Sequence, residues 1–62
     1  MVSVKDLRQR CGLSQARFAA ITGIPRRTIE NWESGRVSPA PYLVELLEYW
    51  LTHEGFIKAG SE

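Results

Sequence analysis

Residues 13–35 read LSQARFAAITGIPRRTIENWESG, two short segments with helical periodicity joined by a glycine-containing turn. Ser14 is a favourable N-cap for the first segment, and Gly23 suits the left-handed conformation that ends a helix. Pro25 fits beside the first turn of the second segment, where its missing N–H is not needed. A turn of only about three residues makes the two helices cross steeply. The stretch therefore predicts a helix-turn-helix over about residues 14–34.

A helix is also predicted before this unit. Ser3 and Asp6 have the spacing of a capping box, and the helix that they begin is expected to end near Cys11, where Gly12 follows. No part of the chain has the alternating pattern of a strand. The predicted fold is therefore all-α, a compact bundle of four to five helices that contains the helix-turn-helix.

A fourth helix is predicted over about residues 39–53, opened by Ser38 and Pro39. Its apolar residues follow the i, i+3, i+4, i+7, i+8 pattern of one helix face. We expect this face to join the core, through Leu43, Leu46, Leu47, Trp50 and Leu51. Residues 54–62 are expected to form a C-terminal tail, in which Phe56 and Ile57 fold back or pair with another subunit.

Length and composition exclude several classes of protein. With 62 residues, 44% hydrophobic and 24% charged, the chain is expected to be a single folded domain over residues 1–62. One cysteine and one histidine, Cys11 and His53, provide neither a disulfide nor a zinc site, so we expect no metal and no cofactor. The chain has neither an apolar run of membrane-spanning length nor a signal-peptide core, which predicts a cytoplasmic protein.

The charges are divided unevenly along the chain, although the net charge is only +1. Residues 1–36 contain seven basic and three acidic side chains, a net charge of +4, whereas residues 37–62 contain one basic and four acidic side chains, a net charge of −3. A basic first half is typical of a surface that meets an anion.

Two charged residues fall on apolar stripes of the predicted helices. Arg8 lies on the apolar stripe of the first helix, and Glu33 lies beside Ile29 and Trp32 on that of the third. Because an unpaired buried charge costs several kcal/mol, we expect Arg8 and Glu33 to form a structural salt bridge with each other. A catalytic role for Glu33 would need a second acid, base or metal nearby, and the sequence offers none.

The third helix carries side chains that can read DNA at its N-terminal end. Arginine pairs with guanine and asparagine with adenine in the major groove, and threonine reaches a base or a phosphate. The residues with this expected role in base readout are Arg26, Arg27, Thr28 and Asn31. The alternative is a solvated helix face on which Arg26 and Glu30 form an i,i+4 pair.

Two further residues are candidates for phosphate contacts. Gln15 lies in the first turn of the second helix, where its side chain and free backbone N–H groups can hold a phosphate oxygen. Arg36, just after the third helix, can reach the next phosphate. The alternatives are an ordinary exposed helix start for Gln15 and a partner of the helix dipole for Arg36.

The chain resembles the lambda repressor-like helix-turn-helix family of the Cro and cI type, also called the xenobiotic-response-element class. The resemblance extends over about Val4 to Leu51 and rests on the combination of its elements. These are Leu7-Arg8, Gly12-Leu13-Ser14-Gln15, Phe18-Ala19, Gly23-Ile24, Thr28-Ile29, Trp32-Glu33 and Gly35-Arg36.

The resemblance implies a specific arrangement of contacts. It implies phosphate contacts through Gln15 and Arg36, base reading through the third helix, at Arg26, Arg27 and Asn31, and a bridge between Arg8 and Glu33. One position departs from the family pattern: Pro25 stands where the recognition helix often has a serine or threonine cap. The departure leaves open whether Arg26 points at a base or at the DNA backbone.

The leading hypothesis is a sequence-specific, double-stranded DNA-binding transcriptional regulator, a repressor or an antitoxin-like protein, acting as a homodimer on a two-fold symmetric operator. A toxin-like protein partner would use the C-terminal surface. The expected dimer seam consists of Tyr42, Val44, Tyr49, Phe56 and Ile57, and the alternative is that these side chains cover the domain's own core.

Two other classes of function are weighed against this one. A protein-interaction adaptor would keep the helix-turn-helix scaffold without reading DNA. An enzyme is disfavoured because one histidine, one cysteine and scattered carboxylates form no recognisable catalytic set. A Glu33 left free in a pocket would favour the enzyme.

Overall fold

A computed structural model describes residues 2–57 of the chain, and within this range all regular elements are helices. Four helices are present there: α1 Val4–Cys11, α2 Gln15–Thr22, α3 Arg26–Ser34 and α4 Pro41–His53. The prediction of an all-α fold with a helix-turn-helix, here α2 and α3, is confirmed. Within residues 2–57, no helix has both the length and the apolar character needed to cross a membrane.

The first two helices begin and end at the residues that the sequence predicts. The Ser3 hydroxyl accepts a hydrogen bond from the Asp6 N–H at 3.1 Å, and the Asp6 carboxylate accepts one from the Ser3 N–H at 3.3 Å. The Ser14 hydroxyl caps α2 in the same way, accepting from the Arg17 N–H at 3.1 Å. Gly12 ends α1 with φ of 72°, in the left-handed region that favours glycine.

The turn between α2 and α3 is fixed by Thr22, a residue to which the sequence analysis gives no role. Its hydroxyl donates to the Phe18 carbonyl at 2.8 Å and accepts from the Ile24 N–H at 3.2 Å. Gly23 takes φ of 77°, and its N–H donates to the Ala19 carbonyl at 2.9 Å. Both N–H groups of this short turn are therefore hydrogen-bonded locally, which restricts the path of the chain from α2 to α3.

The core lies where the four helices meet and includes one fully buried large side chain from each helix. These four are Leu7, Phe18, Ile29 and Leu51. Val4, Leu47 and Ile57 complete the buried cluster, and Leu13 and Val44 are among the half-buried residues packed against it. Ile57 therefore folds back onto the domain, one of the two outcomes expected for the tail; residues 58–62 of that tail lie outside the described range.

Helix α4 begins at Pro41, two residues later than predicted. Ala40, the N-cap, has extended backbone angles, with φ of −61° and ψ of 140°. A proline disfavours helical angles in the residue before it, whereas its own fixed φ suits the first position of a helix. Pro41 and not Pro39 is therefore the residue that opens the helix.

The core-facing side of α4 also differs from the prediction. Leu47 and Leu51 are buried and Leu43 is half-buried, but Leu46 is 59% exposed and Trp50 is 37% exposed. For Val44 and Ile57, two of the residues expected either at a dimer seam or over the domain's own core, the second alternative holds, since both pack in or against the core. The prediction is therefore wrong for Leu46 and Trp50 only, because α4 carries apolar residues on two sides and the periodicity alone fits more than one face.

Candidate nucleic-acid interface

An ion pair between Arg8 and Glu33 joins α1 to α3. The Arg8 Nε donates to Glu33 Oε2 at 2.7 Å, and the second guanidinium contact, Nη2 to Oε1, measures 3.0 Å. The Arg8 side chain is 17% exposed and the Glu33 side chain only 7%. The third guanidinium nitrogen, Nη1, donates to the Leu13 carbonyl at 2.9 Å. The pair that the burial argument requires is thus present, with the two-pronged geometry that arginine favours.

The ionisation of both partners reflects this contact. The hydrogen bond from Arg8 lowers the pKa of the Glu33 carboxyl, outweighing burial, which acts in the opposite direction; Gln15 and the nearby positive charge of Lys5 lower it further. The hydrogen bond to Glu33 raises the pKa of Arg8. Glu33 is therefore a charged, fully engaged structural carboxylate, and the free carboxylate that would favour an enzyme is not present at this position.

Gln15 belongs to the same cluster, which we call the Arg8–Glu33–Gln15 network. Its Nε2 donates to Glu33 Oε1 at 3.1 Å. The network therefore ties the first residue of α2 to α1 and to the C-terminal part of α3. An amide NH₂ carries two hydrogens, so this bond leaves one donor of Gln15 for another acceptor. The sequence predicts the Arg8–Glu33 contact but not the participation of Gln15.

Helix α3 presents a polar face on the side opposite the buried Ile29. Arg27 and Asn31 are four residues apart, one turn of helix, and so lie above one another on this side. Arg27 is exposed, whereas Asn31 and Thr28 are half-buried. Among the described residues, Arg27 has no ion-pair partner within 4.0 Å.

Arg26, the first residue of α3, forms an exposed ion pair. Its Nε lies 3.2 Å from Glu30 Oε2, with both side chains about half exposed. This is the i,i+4 pair considered as the alternative to DNA readout. Pro25 is the N-cap, and it provides no side-chain hydrogen bond to the first turn. The predicted start of α3 at Arg26 is nevertheless confirmed, so the departure at Pro25 does not shift the helix.

Arg36 is positioned by the C-terminal cap of α3. Gly35 adopts φ of 84°, and the Arg36 N–H donates to the Asn31 carbonyl at 3.0 Å. This backbone contact fixes where the exposed Arg36 side chain leaves the end of α3. The two candidate phosphate residues thus stand on ordered backbone, one at the start of α2 and one just after α3.

Another exposed arginine, Arg10 of α1, forms an ion pair away from α3. Arg10 contacts Glu48 of α4, with 3.5 Å between Nη1 and Oε2, and both remain substantially exposed. Residues 2–57 contain no group of three or more histidine, cysteine, aspartate or glutamate side chains arranged to hold a metal ion.

Comparison with known proteins agrees with this architecture. A model of the helix-turn-helix family matches residues 4–48, which include α1, the helix-turn-helix and the first half of α4. Neither the curated proteins nor the solved structures contain a significant match to the chain. The matched family consists of DNA-binding regulatory domains. The chain therefore belongs to the lambda repressor-like helix-turn-helix family of the Cro and cI type.

Proposed function

We propose that residues 1–62 act as one DNA-binding unit, a sequence-specific regulator of transcription that reads the major groove with α3. Arg26, Arg27, Thr28 and Asn31 are the proposed base-reading residues. Gln15 and Arg36 are the proposed phosphate contacts. The regulator is of the repressor or antitoxin-like kind, and repression by excluding polymerase from an overlapping site is its simplest mechanism.

The polar face of α3 is the observation that carries this proposal. Arg27 and Asn31 lie one turn apart on the side away from Ile29, and α3 is a short helix of 9 residues that a major groove can accept. Arginine and asparagine side chains distinguish guanine and adenine by paired hydrogen bonds. A helix face with no role beyond contact with solvent would not need an arginine and an asparagine one helical turn apart.

The Arg8–Glu33–Gln15 network supports the proposal because it sets the start of α2 relative to α3. Phosphate contacts determine how a recognition helix sits in the groove, so the residues that make them need a fixed relation to it. Gln15 is bonded to Glu33 near the C-terminal end of α3, and Arg36 follows that end directly.

The Arg26–Glu30 ion pair is compatible with base reading. Exposed ion pairs of this kind contribute only about 0–1 kcal/mol to stability. Arg26 can therefore leave Glu30 and contact a base or a phosphate at little cost in free energy. Glu30 would then lie at the edge of the interface, where a carboxylate can accept from cytosine.

The regulator is proposed to act as a homodimer on a two-fold symmetric operator, with half-sites about one helical turn apart. The C-terminal surface, which includes α4, is where a toxin-like protein would bind in the antitoxin-like version. A second copy of the chain or a toxin-like protein bound at α4 would leave α3 free for DNA, because α3 and α4 present different surfaces.

The proposal is tested by selecting bound duplexes from a randomised DNA pool and then measuring affinity against salt. We expect a symmetric enriched motif and a steep loss of affinity with salt. Arg27→Ala should cost about 1–3 kcal/mol and relax the preference at one base pair. Arg36→Ala should weaken binding to all sequences alike and reduce the salt slope by about 1.

Arg10→Ala is the matched control, because Arg10 is an exposed arginine that contacts Glu48 and not the proposed interface. It should leave the motif and the affinity nearly unchanged. Absence of any enriched motif would contradict the proposal. If a protein partner were then retained by the Arg26→Ala, Arg27→Ala double variant, the adaptor function would be supported instead.

A further inference from the structure

An open, mostly apolar groove of about 580 Å³ lies between the start of α1, the second half of α3 and the start of α4. We call it the Trp32 groove. Its lining includes the buried Val4 and the half-buried Trp32 and Val44, which all pack in or against the core. Pro39 in the loop before α4 and Pro41 at the helix start also line it. The groove is therefore built from side chains that the fold itself holds in place.

The volume and lining of the Trp32 groove are those of a small-molecule site. Sites of this kind measure about 300–1,000 Å³, and apolar and aromatic side chains line them together with a few polar groups. The lining here comes from α1, α3, α4 and the loop before α4, so a ligand would be contacted from several directions. The cleft of about 290 Å³ that Leu46 and Trp50 line is smaller and has no charged side chain in its lining.

Two carboxylates of α4, Glu45 and Glu48, line the groove, and none of the described residues that line it is basic. The two are three residues apart and so lie on the same side of the helix. Among residues 2–57, Glu45 has no ion-pair partner within 4.0 Å. Glu48 lies 3.5 Å from Arg10 in an exposed pair, which another cation can replace at little cost in free energy. The groove therefore combines an apolar lining with negative charge.

Trp32 provides a second attraction for a positively charged ligand. The face of an aromatic ring attracts an ammonium group within about 6 Å of the ring centroid, and tryptophan does so most strongly. A carboxylate accepts short, strong hydrogen bonds from an ammonium group. A neutral apolar ligand would gain nothing from Glu45 and Glu48, and an anion would be repelled by them. Charge complementarity thus selects a cation with an apolar part.

We propose that the Trp32 groove binds a small organic cation that joins an aromatic or alkyl part to an ammonium group. The apolar part lies against Trp32, and the ammonium group lies at Glu45 and Glu48. The site is separate from the proposed DNA-reading face, because neither Arg27 nor Asn31 lines it. The proposal therefore goes beyond the proposed function and does not depend on it.

Two macromolecular occupants fit the groove less well. A second copy of the chain related by a two-fold axis would bring the same surface onto itself, and the like charges of Glu45 and Glu48 would then repel each other. A basic segment of another protein would match these charges. However, a protein interface of standard size involves about 20–30 residues on each side, whereas ten residues line this groove.

A nuclear magnetic resonance titration of the full chain tests the proposal with three probes that share one ring system. The probes are the cation naphthylmethylammonium, the neutral naphthalenemethanol and the anion naphthoate. We expect the cation to bind, the alcohol to bind about 5-fold to 10-fold more weakly, and the anion not to bind measurably. The indole N–H signal of Trp32 should move with the cation, whereas that of Trp50, which does not line the groove, should not. Trp50→Phe assigns the two indole signals.

Substitution of the two carboxylates tests the role of charge. The double variant Glu45→Gln, Glu48→Gln should bind the cation about 5-fold to 10-fold more weakly and the alcohol as the wild type does. Glu54→Gln is the matched control, because Glu54 is an exposed carboxylate just after α4 that does not line the groove. Arg27→Ala should also bind the cation as the wild type does, so a failure of the proposed DNA reading remains distinguishable. Circular dichroism should show the same helix content in all variants.

Several results would overturn the proposal. These are a cation that does not bind, three probes that bind equally, and a control Glu54→Gln that loses as much affinity as the double variant. A Trp32 signal that moves on dilution of the protein without a probe would place a second copy in the groove instead. Displacement of the cation by a lower concentration of a peptide of alternating lysine and leucine would identify a protein segment as the occupant.

Discussion

The α1–α3 part of the molecule and α4 are stabilised in different ways. The first three helices end at glycines with left-handed backbone, and two of them have serine N-caps. A partly buried ion pair joins α1 to α3. Helix α4 has no side-chain N-cap bond and attaches to the rest mainly by apolar packing through Leu47 and Leu51, with one exposed ion pair, Arg10–Glu48, beside it. Directional bonds fix the angles between helices, as a DNA-reading surface needs, whereas apolar packing leaves α4 free to use its second side for another purpose.

The largest expected effect distinguishes the two sides of α4. Leu51→Ala should lower the free energy of unfolding by about 2–5 kcal/mol, because Leu51 is fully buried and the variant leaves a cavity. For a chain of 62 residues, this loss is a large part of the total free energy of unfolding. That total is on the order of 0.05–0.15 kcal/mol per residue. Urea denaturation in dilute solution measures it.

Leu46→Ala is the matched control for this comparison, with the same substitution five residues earlier in α4. It should change the unfolding free energy of the monomer by no more than about 0.5 kcal/mol, as is usual at exposed positions. Equal losses in the two variants would show that the two sides of α4 do not differ in the way described.

The second prediction compares two ion pairs in the α1–α3 part. Glu33→Gln should destabilise the protein by about 2–3 kcal/mol, since it leaves Arg8 partly buried without its counter-charge. Glu30→Gln, which breaks the exposed pair with Arg26, should cost no more than about 0.5 kcal/mol. Thermal and urea unfolding of both variants provide the test. A Glu33→Gln variant as stable as Glu30→Gln would mean that the bridge is not what holds α1 to α3.

The smallest predicted effect is the loss of stability at acidic pH. Because the pKa of Glu33 is lower in the folded protein than in the unfolded chain, the bridge contributes its full stability above the ordinary glutamate pKa, about 4.3. That contribution is lost as the pH falls through the lowered pKa of the folded state. The unfolding free energy of the wild type should therefore fall more steeply on acidification than that of Glu33→Gln. Parallel pH profiles would contradict this assignment.

Local signals explain why so much of α1–α3 could be predicted from the sequence. A serine cap or a left-handed glycine acts within one turn of the chain, so Ser3, Ser14, Gly23 and Gly35 each mark a helix end without reference to the rest of the fold. The contact between Arg8 and Glu33 is distant in sequence, but it follows from the cost of burying either charge alone.

Helix α4 could not be predicted to the same depth because its two apolar sides give competing patterns. Which side packs inward depends on Val44, Leu47 and Leu51 meeting the surface that α1–α3 present, and no local signal contains that information. The bond from Gln15 to Glu33 was missed for a related reason, since it depends on how closely α2 approaches the end of α3. Base and phosphate contacts depend further on how the protein docks on DNA.

The hydrogen bond between Gln15 and Glu33 has a consequence for the strength of DNA binding. A free glutamine loses up to about 2 kcal/mol of rotamer entropy when it is held in one orientation. Here that loss occurs when the chain folds, because Glu33 already holds the amide at 3.1 Å. If Gln15 binds a phosphate, it does so as a pre-ordered group, and the encounter with DNA does not have to bear that entropic cost.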